Sequence, residues 1–248
     1  MNEYSFNIWH HLCSHGTNPA RFRQPKGNDM PAAAKNKKPR TASRATRRLQ
    51  LIDATMKCIA RKGMSSTTLG DVASEAGLSQ GIVNLHFESK DNLLNETLRH
   101  LADEYRRRFD KTLTRAAPHP ADQLHALMEL DFKPSICDRQ KLALWFAFWG
   151  EVKSRPAYRK ICDEFDRYYD DVVEGLCAAI IAEGEYSHVS ASAAANALTS
   201  MTNGLWLSCL VSPQSWDRRE AMDAVMSYLQ SVFPKHFNQR GYRADRTQ

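Results

Sequence analysis

Between Ser43 and Phe237 apolar residues return every three or four positions and no stretch alternates them convincingly with period two, a pattern that suits helices packed on helices. Leu49, Ile52, Met56, Ile59 and Ala60 set the rhythm of the first helix, and Gly63 closes it as a C-terminal cap does. Further on, Ala117-Pro118-His119-Pro120, Lys133-Pro134-Ser135, Arg155-Pro156, Gly184 to His188 and Ser212-Pro213 punctuate the chain. Between these breaks the spacing predicts helices over 90–115, 121–132, 138–153, 156–183, 190–210 and 215–233. The expected fold class is all-α.

With 248 residues the chain has length for one large domain or two modest ones, and an apolar share of 42% is enough for a packed core. Residues 1–42 lack a periodic apolar face, are rich in Pro, Asn, Gly, Lys and Ala, and are predicted to be a disordered basic extension. Met30, just ahead of the basic run Lys35-Asn36-Lys37-Lys38-Pro39-Arg40, is a candidate for the translation start. The polar tail 238–248 is expected to fray.

Charge is unevenly placed. Residues 1–66 hold thirteen Lys and Arg against three Asp and Glu, a net +10, so the remainder carries −4 of the total +6. A basic head on a mildly acidic body suits a protein that meets phosphates with one end, although a solubilising tail gives the same count. The six cysteines, Cys13, Cys58, Cys137, Cys162, Cys177 and Cys209, form no CxxC pair and have no His ladder beside them, so no metal, cofactor or disulfide framework is expected. No apolar run approaches the roughly 20 residues of a membrane span, and Met1 to Leu12 lacks a signal peptide's apolar stretch. The expected location is the cytoplasm.

Thr68 stands before Leu69, Val72, Ala73 and Ala76, with Asp71 three residues on as an acidic partner at the positive end of a short helix. Gly77-Leu78-Ser79 then supplies a turn, Gly77 for its left-handed backbone and Ser79 as the next N-cap, before Gln80-Gly81-Ile82-Val83-Asn84-Leu85-His86-Phe87. Two short helices joined so tightly cross steeply, and the second is free to enter a major groove. The run from Thr67 to Ala73, then Ala76 to Leu94 with its Ala-Gly-apolar-Ser turn and Ser89-Lys90-Asp91-Asn92-Leu93-Leu94, resembles the DNA-binding segment of the TetR family. Arg47-Arg48-x-x-Leu51-Ile52-Asp53-Ala54-Thr55, Leu144-Trp145-x-Ala147-Phe148-Trp149 and Gly204-Leu205-Trp206-Leu207 are similar to its BetI type. The resemblance implies a repressor of betaine-synthesis genes that answers to choline. It divides the chain into a helix-turn-helix head at 43–90 and a ligand-binding and dimerisation domain at 91–237.

Within the head, Gln80 and Asn84 share one turn and carry amides that pair bidentately with adenine, so they are the first candidates for base reading. Gly81 permits close approach, Leu85 can meet a thymine methyl, and His86 is either a phosphate contact or an ordinary surface histidine. Val83 and Phe87 are expected in the core. Thr67 and Thr68 at a helix N-terminus and Lys90 at the next suit phosphates. Arg44, Arg47 and Arg48 oppose the dipole of the first helix, which points to the DNA backbone as their partner.

A head of this size reads few base pairs, so a homodimer on palindromic double-stranded DNA is expected. Ala194, Ala197, Met201, Gly204 and Ser208 make a small-residue stripe, and Ala221, Val225, Tyr228, Leu229 and Val232 an apolar one. Two such helices from each subunit would form a four-helix interface; the alternative is that both stripes face their own core. For the small-molecule effector, Leu142, Trp145, Trp149 and Val152 share one helix face with Phe148 close by, and Asn203 and Trp206 share another. Converging aromatics either cage a quaternary ammonium or simply fill a core. BetI-type proteins tend to carry Asp-Gly-Leu-Trp where this chain has Asn203-Gly204-Leu205-Trp206, and Asp131 or Glu151 are candidates for the missing counter-charge. A rival enzyme reading would draw on His100, His125, His188, Asp131 and Glu151, but no Ser-His-Asp order, metal spacing or glycine-rich loop organises them. No catalytic residue is expected, and the sequence leaves open an activator, or an effector unrelated to choline.

Overall fold

The computed structural model describes residues 43–238 and 241–242. The basic extension expected over 1–42, with its second start and its Lys-rich arm, and most of the tail expected to fray lie outside the described residues.

Seven of the nine helices among the described residues, all but α3 and α7, begin where a side chain accepts from their free N–H groups. Ser43 caps α1 (Arg44–Lys62), which ends at Gly63 with φ +85°. Thr68 and Asp71 form a reciprocal capping box on α2 (Leu69–Glu75). Gly77, at φ +63°, turns the chain into α3 (Gln80–Phe87). Ser79 occupies the N-cap of α3, yet its hydroxyl makes no cap bond, unlike the capping role expected for it. Ser89, His119 and Asp138 cap α4 (Lys90–Arg115), α5 (Pro120–Phe132) and α6 (Arg139–Glu151). Pro156 opens α7 (Pro156–Gly184), and Ser190 and Asp217 cap α8 (Ala191–Val211) and α9 (Arg218–Val232). The fold is all-α as expected; the departure among the described residues is a two-residue antiparallel pairing of β1 (Phe237–Asn238) with β2 (Gly241–Tyr242).

Two apolar cores result. Leu51, Ile52, Cys58, Val72, Val83, Phe87 and Leu93 close a small one within α1, α2, α3 and the start of α4. The larger joins α4 to α9 through residues such as Phe109, Leu127, Phe132, Phe148, Val173, Leu198 and Phe233. Burial of each such side chain contributes about 1.5–3 kcal/mol. α1 serves both, because Leu51 and Cys58 face the small core while Ile59 packs in the large one and the helix lies against α6. Arg155 ties the N-terminus of α7 to Asp91 at 2.8 Å.

The stripes expected at the dimer interface are partly turned inward. Ala194, Ala221, Val225 and Leu229 are buried in their own protomer's core, whereas Gly204 and Ser208 are exposed. Helical periodicity marks an apolar face without saying which neighbour covers it. The outward faces carry Ser200, Gly204, Leu207, Ser208 and Val211 on α8, and Glu220, Asp223, Ala224, Ser227 and Ser231 on α9.

Close packing is tightest at Gly184, where a Cβ would overlap the ring of Tyr186. That ring is 5% exposed; its hydroxyl accepts the Lys235 N–H at 2.8 Å and pairs with His236 Nδ1 at 3.0 Å. Gly184→Ala should therefore unlatch the C-terminal segment and cost about 1–3 kcal/mol, as overpacking does. Urea unfolding measures it, and an unchanged midpoint would mean that the ring has free space to move into.

Candidate functional site

On α3 the residues Gln80, Gly81, Asn84 and Leu85 are all exposed, while Val83 and Phe87 turn into the small core. Leu85 is 70% exposed, so its side chain is free to meet a partner. At Gly81 a Cβ would meet only the Ser79 hydroxyl, at an ordinary 3.8 Å, so packing within the chain does not require glycine there. Thr68 is exposed at the start of α2, Lys90 half-buried at the start of α4, and Arg44 exposed on α1.

Three candidate contacts are otherwise engaged. Thr67 is 1% exposed and its hydroxyl donates to the Gly63 carbonyl at 2.8 Å, leaving it turned away from any phosphate. Arg48 donates to the His86 carbonyl, pairs with Glu96 at 3.1 Å and lies 4.4 Å over the ring of Phe87. It joins α1, α3 and α4 rather than standing free. Arg47 bonds Gln50 at 2.7 Å. His86 has a buried, unpartnered Nδ1, and its pKa is held below the usual value by burial and then by the charges of Arg44, Arg48 and Arg47, so the ring stays neutral near pH 7.

A cavity of about 410 Å³ opens between α4, α5, α6, α7 and α8. Six rings wall it, from Tyr105, Trp145, Trp149, Phe165, Tyr169 and Trp206. Tyr105 meets Phe165 edge-on at 5.1 Å and Trp206 at 6.2 Å, and Trp145 lies 5.5 Å from Phe165. Four carboxylates, Asp131, Asp163, Asp166 and Asp170, line the same space together with Thr199, Thr202 and Asn203, and among the described residues no Lys, Arg or His does. Such a void attracts cations.

Asp131 lies fully buried, accepting from the hydroxyls of Tyr105 and, at 3.1 Å, Tyr169. Burial pushes its carboxyl up to about 7, against the pull of the two phenols. Trp206 Nε1 donates to the Asp131 backbone carbonyl at 2.9 Å. Asp166 is pushed up to about 6 by desolvation and then by Asp170 and Asp163.

Of the residues singled out from sequence, Trp145, Trp149, Asn203, Trp206 and Asp131 meet at this cavity. Phe148 does not: it is fully buried and edge-on to Tyr158 at 5.2 Å. Glu151 is drawn off to Arg155, 3.7 Å away. Tyr105, Phe165, Tyr169 and the acids of α7 escaped the sequence reading, although Asp163-x-x-Asp166-x-x-x-Asp170 has the three- and four-residue spacing of one helix face. For metals, His119, Glu183 and His236 bring ligand atoms within 4.8 Å, away from the cavity lining. His119 Nδ1 accepts the Ala121 N–H, so the neutral ring carries its proton on Nε2 and donates it to Glu183 at 3.1 Å. This is a hydrogen-bonded latch, with no lone pair of His119 turned to a cation.

Residues 51–97 match the family of bacterial regulatory proteins, tetR family, and residues 120–234 match the C-terminal domain of BetI-type transcriptional repressors. The chain is 33% identical over 191 residues to the HTH-type transcriptional regulator BetI of Paraburkholderia phymatum, covering 77% of this chain and 95% of that one. Against BetI of Paraburkholderia xenovorans it is 30% identical over 195 residues, 78% and 97% of the two chains. Among solved structures, a transcriptional regulator of Pseudomonas aeruginosa PAO1 superposes with a TM-score of 0.70 at 26% identity, over 78% of this chain and 93% of that one. A regulator of Saccharomonospora viridis, crystallised in complex with choline, shares the fold with a TM-score of 0.69 at 21% identity, over 75% and 96%.

The engaged and the free head residues should part under mutation. Lys90→Ala should weaken binding to all DNA sequences and lower the salt slope by about 1, whereas Gln80→Ala or Asn84→Ala should each change preference at defined base pairs by about 1–3 kcal/mol. Arg48→Ala should lower stability by about 1–2 kcal/mol through its lost charge-assisted bonds and leave the salt slope alone. Salt titrations of operator binding beside urea unfolding separate the three; a stable Arg48 variant with a reduced slope would make Arg48 a phosphate contact.

Proposed function

We propose, from the premise that this chain belongs to the TetR family of regulators and carries a C-terminal domain of the BetI repressor type, that its effector is a small quaternary ammonium compound, choline or a close relative, held in the aromatic cavity. The family makes it a DNA-binding transcriptional repressor and not an enzyme. One observation carries the effector: six rings and four carboxylates share a void that no basic side chain among the described residues lines. A quaternary ammonium has no proton to donate, so ring faces and negative charge recognise it. Asp131 and the acids of α7 supply the charge that Asn203 does not. The choline held by the Saccharomonospora viridis regulator supports the class.

Residues 43–90 act as the reading head and 91–237 as sensor and dimerisation domain. Two copies associate through the outward faces of α8 and α9, where Leu207 is 45% and Val211 68% exposed, and the pair sits on a palindromic operator. Gln80, Asn84 and Leu85 face the bases, with Ser79, Gly81, Thr68, Lys90 and Arg44 beside them. No helix among the described residues is long and apolar enough to cross a membrane, and the protein works in the cytoplasm, where the chromosome lies. The cavity wall reaches the head by α6, which bears Trp145 and Trp149 and packs against α1. Release follows if the effector binds the DNA-incompetent setting of the two heads better than the competent one, since equal affinity shifts nothing.

Calorimetry should show choline binding that an uncharged isostere, dimethylbutanol, does not reproduce, and Trp145→Leu and Trp149→Leu should each weaken it tenfold or more. Choline should also weaken operator binding. A cation favours ionised carboxylates, and Asp131 at about 7 and Asp166 at about 6 take up protons as pH falls. The thiol of Cys162, pushed up to about 11, and the raised phenols of Tyr105 and Tyr169 do not titrate there. Binding therefore releases protons, and affinity should rise from pH 5.5 to pH 8. A flat profile together with equal binding of the isostere removes the reading.

A further inference from the structure

The α8 wall of the cavity is one helix face. Thr199, Thr202, Asn203 and Trp206 line the space, at the three-, four- and seven-residue spacing that such a face has. Trp206 is committed at one end, where its indole N–H donates to the Asp131 backbone carbonyl at 2.9 Å. Thr199 is committed at the other, its hydroxyl donating to Asp170 at 3.3 Å. Thr202 stands between them, one turn from Trp206 and 4% exposed. Its hydroxyl has no hydrogen-bond partner among the described residues.

Other helical hydroxyls of this chain are satisfied locally. The buried Thr55 and Thr97 donate to the carbonyl four residues back, at 2.7 and 2.8 Å, and Ser208 of α8 itself does the same at 3.1 Å. Thr202 leaves the corresponding carbonyl, that of Leu198, without this bond. A hydroxyl kept from water and given no bond is destabilising, so a native one points to a partner that the chain does not supply. An ammonium head carrying only alkyl groups is no such partner, because it has neither a donor nor an acceptor. An oxygen is.

We infer that Thr202 reads an oxygen of the effector, so that the cavity selects a quaternary ammonium with a hydroxyl or carbonyl on a short arm and rejects a plain tetraalkylammonium ion. This rests on the reading that the cavity binds an organic cation. With the head seated against the ring of Trp206, the four residues back to Thr202 cover about 6 Å at the helical rise, which the head and a two-carbon arm together span. The threonine hydroxyl both donates and accepts, so an alcohol or an aldehyde satisfies it. A site built around such a bond turns away the analogue that lacks the oxygen, because its own polar group is then left unpaired.

The test uses the full chain and calorimetry, comparing choline with propyltrimethylammonium, which keeps the charge and the shape and carries a methyl in place of the hydroxyl. Choline should bind at least tenfold more tightly. In Thr202→Val, which has the same shape without the oxygen, choline should lose tenfold or more while propyltrimethylammonium changes less than threefold. Thr202→Ser, which keeps the oxygen, should retain at least a threefold preference for choline. The ligand-free Thr202→Val protein should melt at the same temperature as the parent or higher, since no bond within the chain is lost. A lowered melting temperature would mean that the hydroxyl serves the fold, and overturns the inference. So do equal affinities of the two salts for the parent protein, a preference that survives in the valine variant, or a serine variant as indifferent as the valine one; each leaves a cationic effector standing. Failure of both salts to bind the parent protein removes the cationic effector, and the role of Thr202 with it.

Discussion

A carboxylate enclosed with no cation beside it among the described residues organises the larger core. Removing a charge from water costs several kcal/mol unless hydrogen bonds replace the lost solvation. Asp131 on α5 meets that demand with hydroxyls from Tyr105 on α4 and Tyr169 on α7, and its backbone carbonyl takes the indole N–H of Trp206 from α8. Four helices are thereby held to one residue. The polar ends of three aromatic side chains are tied to it, which keeps their rings along the cavity instead of letting them collapse into it. The void and the anchor are two sides of one arrangement.

The head meets a different constraint, the free carbonyls at the end of a short helix. α3 is only two turns long, and the His86 carbonyl near its negative end is taken by Arg48 of α1, which also pairs with Glu96 of α4 and covers Phe87. One arginine thus fixes the orientation of α3 against its two neighbours. With the inner side so held, Gln80, Asn84 and Leu85 project outward from a rigid support.

The helices were legible because each carries its signal locally, in an apolar period, a cap and a closing Gly or Pro. The capping box of Thr68 and Asp71 and the left-handed backbone at Gly63 and Gly77 stand where the residue types place them. The site was half legible. Trp145, Trp149, Trp206 and Asp131 are conspicuous as types, but Phe148 lies next to Trp149 on the helix and still faces Tyr158. A void leaves no period in the sequence; it forms where long-range packing leaves a face uncovered, and so nothing in the sequence marks Tyr105 and Tyr169. At Arg48 the converse holds. A cation near a helix start points to phosphate, unless a carbonyl and a ring from distant parts of the chain reach it first.

α4 is a single helix of 26 residues, and it passes from one core to the other without a break. Fifteen residues separate Lys90 at the head from Tyr105 in the cavity wall. Held at the tyrosine, a rod of that length, about 22 Å, swings its far end by about 2 Å for a tilt of only about 5°. On the palindrome proposed for a pair of these chains, half-sites would recur at about 34 Å, one turn of the duplex, and two heads displaced symmetrically would no longer match that interval. Leverage of this kind sets how far the far end of the rod moves, while how often it moves is set by the difference in a ligand's affinity for the two settings.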